Sequence, residues 1–125
     1  MQFKHIPKDI LESLSQAFFA IDNDWNFTFV NPTAENYWKK KKENLLGKNL
    51  WEVFPNSKDT QPFRELVKAV ETKTAMELEC ISPIIKRWIK VKGTPLDSGY
   101  AVNFHVIDIK QHVEDELRGM LKKKI

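Results

Sequence analysis

The chain has 125 residues, a formal charge of +3, and hydrophobic and charged fractions of 42% and 30%. That length suits one domain with a single core, and that balance excludes both an intrinsically disordered chain and a membrane-embedded one. The apolar stretches are too short to cross a bilayer, no signal-peptide segment stands at the N-terminus, and the lone Cys80 allows no internal disulfide, so the expected setting is the reducing cytoplasm.

Much of the positive excess lies in the lysine runs 39–42 and 122–124. The first reads as the solvated end of a helix, where cations suit the helix dipole, and no nucleic-acid partner is expected. Taken in chain order, residues 7–18 place Ile10, Leu11, Leu14, Ala17 and Phe18 on one helical stripe behind Pro7, which predicts an amphipathic lead helix. Residues 18–22 and 27–31 are short aromatic and branched runs around Asn23-Asp24-Trp25-Asn26, a turn-forming stretch, and predict an antiparallel hairpin. At Asn31-Pro32 the signal switches, because Asn caps helices and Pro favours their first position. Ala34, Tyr37 and Trp38 then share an apolar helical face, Gly47 punctuates the chain, and Leu50, Trp51, Val53 and Phe54 lead to a stop at Pro55.

Residues 61–72 put Phe63, Leu66, Val67 and Val70 at i, i+3, i+4 and i+7, the best helical stripe in the chain. Beyond it the apolar residues alternate with period two: Met76, Leu78 and Cys80, then Ile89 and Val91, then Val102, Phe104 and Val106. Three half-buried strands are expected, bounded by Pro83 and by Pro95-Leu96-Asp97-Ser98-Gly99. Strands and helices are segregated along the chain, so the fold class is α+β. In the tail, Ile109, Val113, Leu117 and Met120 form a short apolar seam, too short to stand alone as a coiled coil.

This order and several local phrases resemble the PAS domain, or sensory box, across residues 10–112. Phe27-Thr28-Phe29-Val30-Asn31-Pro32 is similar to that family's second strand and helix start, and Asp22 stands where its first hairpin carries an acid. The stretch Leu45-Leu46-Gly47-Lys48-Asn49-Leu50-Trp51-Glu52-Val53-Phe54-Pro55 resembles the family's glycine-centred middle segment. Arg87-Trp88-Ile89-Lys90-Val91-Lys92-Gly93-Thr94-Pro95-Leu96 resembles its fourth strand, and Val106-Ile107-Asp108-Ile109 the end of its fifth.

The resemblance implies a five-stranded antiparallel sheet in the order 2-1-5-4-3, cupping helices around an apolar cavity. It divides the chain into a flanking helix at 1–17, a PAS core at 18–110 and the start of a connector helix at 111–125. Family members hold a cofactor or metabolite in the cavity, or fill it with side chains and serve as dimerisation modules. The connector would lead to an output domain outside this chain, such as a histidine kinase, a nucleotide cyclase or a transcription regulator. Asp108 is the candidate for fastening the strand exit to the core, although Lys110 stands where the family has a hydroxyl residue. The family's flavin light sensors carry an Asn-Cys-Arg phrase in the middle helices and its haem binders an axial His on the long helix. Neither occurs here, which argues against both cofactors and names no other.

Chemistry beyond binding has little support. The sequence contains no glycine-rich phosphate loop, nucleophile elbow or His-Glu-x-x-His helix, so no catalytic residue is assigned and the domain is read as regulatory, not as an enzyme. His5, His105 and His112 are too dispersed for a metal site, and Glu77 and Glu79 share the solvated parity of a strand. The candidate ligand pocket is built from Phe29, Tyr37, Trp38, Trp51, Phe54, Phe63, Val67, Leu78, Ile89, Val102 and Phe104, with Asn103, Arg87 or Tyr37 as orienting polar groups. The same aromatics can equally pack as a filled core, and then the function is a homodimer or protein-docking module. For that reading Ile10, Leu14, Phe18, Val113 and Leu117 are the interface candidates, and Trp88, of opposite parity to Ile89, faces away from the pocket.

Overall fold

The computed structural model of the chain describes residues 16–107 and 116–120. Strand β1 (Ala17–Asp22) turns back into β2 (Phe27–Val30), as the turn chemistry predicts. The Asp22 carboxylate accepts from the amides of Asp24 and Asn26, both at 2.9 Å, and Trp25 takes the left-handed conformation at φ 68°. Helix α1 (Pro32–Trp38) starts on Asn31, whose side chain accepts from the Ala34 amide, and stops at Lys39 in the left-handed conformation. A short 3-10 turn (Lys42–Asn44) and the one-turn helix α2 (Leu50–Val53), capped by Asn49, follow. Helix α3 (Gln61–Thr72) occupies the span that its apolar stripe marks, with Pro62 in its first turn.

The remaining strands are β3 (Met76–Ile81), β4 (Trp88–Leu96) and β5 (Gly99–Val106). They complete an antiparallel sheet in the order β2-β1-β5-β4-β3, the order the resemblance implies. The last hairpin is tighter than the Pro95–Gly99 cluster suggests, since β4 runs through Pro95 to Leu96 and β5 begins at Gly99. Pro95 is tolerated there because β3 pairs with β4 only as far as Gly93, leaving that stretch of β4 with one neighbour. Strand pairing sets which residues face the helices: Phe19 lies opposite Val102, Val91 opposite Phe104, and Leu78 opposite Val91. On the other face Lys92 lies opposite both Glu77 and Asn103.

The core sits between the inner face of the sheet and α1, α2 and α3. Its centre is a chain of rings: Phe19 against Trp38 at 5.1 Å, Trp38 against Phe54 at 5.1 Å, and Trp38 stacked on Phe104 at 6.1 Å. Such pairs add to the ordinary gain from burial. Lead-helix positions Ile10 and Leu14, the tail position Val113 and the strand-exit candidate Asp108 lie outside the described residues. Residues 116–120 are helical, with Leu117 and Met120 exposed. Among the described residues, no helix is long and apolar enough to cross a membrane.

Candidate functional site

Where the ring cluster ends, toward β3 and β4, a partly enclosed cavity of about 50 Å³ remains. The sheet supplies Phe19 from β1, Met76 and Leu78 from β3, Ile89 and Val91 from β4, and Val102 and Phe104 from β5. Across from them stand Trp38 of α1, Leu50 and Phe54 around α2, and Pro62, Phe63 and Leu66 at the start of α3. The β3–β4 connection closes one side through Ser82, Pro83 and Ile84. The volume is well below the roughly 300–1,000 Å³ of pockets for drug-sized ligands. It suits roughly three or four waters, or one small apolar molecule.

Of the residues expected in the pocket, Trp38, Phe54, Phe63, Leu78, Ile89, Val102 and Phe104 line this cavity. Phe29, Tyr37, Trp51, Val67 and Asn103 do not, and each has a local reason. Register between β1 and β2 shifts after Ala20, so Phe27 pairs with Ile21 and Phe29 with Ala20, leaving Thr28 as an extra residue. The bulge turns Phe27 inward and Phe29 to the outer face, where its ring meets Phe18 edge-on at 5.7 Å. Asn103 has the outward parity of β5, and its amide donates to the Gln16 side chain. Tyr37 lies 5.9 Å from the Phe104 ring without reaching the cavity wall. Trp51 is held between Trp25 at 4.7 Å and Phe63 at 5.7 Å, with the Lys58 ammonium 5.6 Å from its ring. On α3 the buried line runs Phe63, Leu66, Ala69, which leaves Val67 on its flank. Arg87, the other polar candidate, is exposed in the β3–β4 connection.

Some wall residues were within reach of periodicity. Val91 shares the parity of Ile89, Met76 that of Leu78, and Leu66 follows Phe63 by three on the helix. Ser82, Pro83 and Ile84 carry no such signal because they lie in a connection. There the Ser82 hydroxyl oxygen accepts from the amides of Ile84 and Ile85, both at 3.1 Å, and folds the loop over the cavity.

Among the described residues the titratable groups stand apart from the cavity. Burial pushes the Cys80 thiol up from its ordinary value and does the same to the Tyr100 phenol, whose hydroxyl donates to the Thr74 carbonyl at 2.7 Å. On the outer face Lys90 bonds the Glu77 carboxylate at 3.0 Å and holds it below the usual carboxylate range. Among the described residues no group of His, Cys, Asp and Glu side chains is arranged to hold a metal ion.

The sequence profile of the PAS fold matches residues 11–114. Among solved structures the chain is similar to a sensory box sensor histidine kinase from Vibrio cholerae, with TM-score 0.65 and 19% identity over 86% of this chain and 94% of that one. It is similar also to the photoactive yellow protein domain of the sensor histidine kinase Ppr from Rhodospirillum centenum, with TM-score 0.67 and 13% identity over 83% and 96%. A third is the PAS domain of BvgS from Bordetella pertussis, with TM-score 0.64 and 13% identity over 100% of both chains. No curated protein matches the sequence. At these identities the structures speak to the fold alone, whereas the profile covers most of the sequence and agrees with the sheet order and the capped helices: the chain belongs to the PAS family.

Proposed function

We propose that this PAS domain is the sensory input module of a cytoplasmic signal-transduction protein, and that its signal is a small apolar molecule seated in the cavity between α3 and strands β3 to β5. The observation that carries this reading is the cavity itself. Protein interiors are close-packed, so an apolar space of about 50 Å³ beside a dense ring cluster is a departure that an occupant would repair. An occupant would favour whichever arrangement of sheet and helices fits it better, and only such a difference in affinity can signal. The output domain is proposed to be a histidine kinase, in keeping with the solved domains named above, and the C-terminal connector, with Asp108 at the strand exit, is proposed to carry the change to it. The domain is regulatory in this reading and performs no chemistry.

Native mass spectrometry of the freshly purified protein, beside its denatured mass, tests the proposal. A reproducible extra mass that disappears on denaturation is expected. A bare chain that runs as a dimer favours the second reading, an interaction module working without a ligand. That reading draws on the outward Phe18 and Phe29 pair and on Leu117 and Met120, 52% and 55% exposed. Replacing Phe18 and Leu117 with Asp would then abolish the dimer, while a ligand sensor would keep its binding.

A further inference from the structure

Resting on the sensory reading of the cavity, we propose that its ligand class is the small neutral carbonyl compounds, recognised through a hydrogen bond donated by the Ser82 hydroxyl. Ser82 lines the cavity and is only 4% exposed. A serine hydroxyl offers one proton and accepts at two lone pairs. Both acceptor positions are taken, by the amides of Ile84 and Ile85 at 3.1 Å each. The proton is what remains, and among the described residues the hydroxyl accepts these two bonds and donates none. A buried donor left without a partner is costly, so a molecule that brings an acceptor to it gains more than its apolar contacts alone.

The rest of the wall sharpens the class. Among the described residues, Trp38 is the one other lining residue with a side-chain nitrogen or oxygen, and its indole N–H can only donate. Met76 offers a thioether, a weak acceptor. A lining with donors and no strong side-chain acceptor disfavours alcohols and amines, whose own protons would be stranded in an apolar space. Carboxylates and ammonium ions are disfavoured too, since among the described residues no charged side chain lines the cavity to pair with them. A short ketone or aldehyde meets every condition: an apolar body of a few heavy atoms, one acceptor, no proton to place and no charge.

Butanone and methylbutene, in which a CH2 group replaces the carbonyl oxygen, have nearly the same shape and make a matched pair of probes. Their affinities are measured by NMR titration on the full chain and on Ser82→Asp, whose carboxylate keeps acceptors for the Ile84 and Ile85 amides but offers no donor. The expected result is that the butanone-to-methylbutene affinity ratio falls by roughly three- to tenfold in the variant. A second readout needs only the wild-type protein: with an isotope-labelled carbonyl carbon, bound butanone shows the downfield carbon shift of a hydrogen-bonded ketone. If both probes bind but the ratio is unchanged and the carbon resonates as in hydrocarbon solvent, the Ser82 inference is overturned while the sensory cavity stands. Should neither probe bind up to its solubility limit, the carbonyl inference is overturned, and the native mass decides the sensory reading separately.

Discussion

Asn31 stands at the corner where β2 ends and α1 begins, fully buried. Its side-chain oxygen accepts from the amides of Phe18 at 2.9 Å and Ala34 at 3.0 Å, and its nitrogen donates to the Gln16 carbonyl at 2.9 Å. One side chain thus caps a helix and ties it to β1. Each such bond contributes about 1 kcal/mol, and the backbone groups it leaves would stay buried. Asn31→Ala is therefore expected to cost about 2–4 kcal/mol, read from chemical denaturation. Gly99 is constrained differently: a Cβ there would lie 1.9 Å from the Ile21 carbonyl oxygen, so β1 and β5 would have to separate. Gly99→Ala should destabilise the fold by about 2 kcal/mol or more, whereas Gly119→Ala, with open space around it, should not.

Two buried groups make the fold sensitive to alkali. The Cys80 thiol and the Tyr100 phenol are both pushed up by burial, so the unfolded chain loses these protons at a lower pH than the folded one does. Stability is then at its full value below the ordinary thiol and phenol values, about 8.5 and about 10, and declines as pH rises past them. Denaturation midpoints measured from neutral to alkaline pH should show that decline, and Cys80→Ala should remove its first part.

At the scale of elements, what could be read from the sequence depended on regular periods. Helix α3 and the three late strands were legible because Phe63 and Leu66 repeat at helical spacing and Ile89, Val102 and Phe104 at strand parity. The resemblance supplied the strand order, which no local pattern contains. Phe29 was misplaced because a bulge adds Thr28 to β2 and reverses the parity beyond it, a feature set by pairing with β1 and invisible in β2 alone. Trp51 was misplaced because its partner, Trp25, comes from a turn. Ser82 and Ile84 were missed because their loop is shaped by its own hydrogen bonds and not by an apolar period. The corrected placement of Phe29 has a consequence for binding. Phe29→Ala should leave the affinity of a small apolar probe unchanged within about twofold, while Leu66→Ala, on the wall, should alter it several-fold.

For the whole molecule, the cavity is where α3, β4 and β5 meet. Its wall takes Phe63 and Leu66 from α3, Ile89 and Val91 from β4, and Val102 and Phe104 from β5. The end of β5 is tied to the start of β4 by the Ile107 amide, which donates to the Trp88 carbonyl at 3.0 Å. A displacement of β4 by an occupant would therefore reach the point where the chain leaves the sheet. Xenon is a suitable neutral probe, because it enters dry apolar cavities and needs no hydrogen bond. The measurement is xenon binding by NMR to the wild-type chain and to Val91→Phe, which fills the cavity from β4. Saturable shifts at Ile84, Ile89 and Val102 are expected in the wild type, with their loss in Val91→Phe; wild-type amides that stay unmoved along the cavity wall would contradict a cavity open to small apolar molecules.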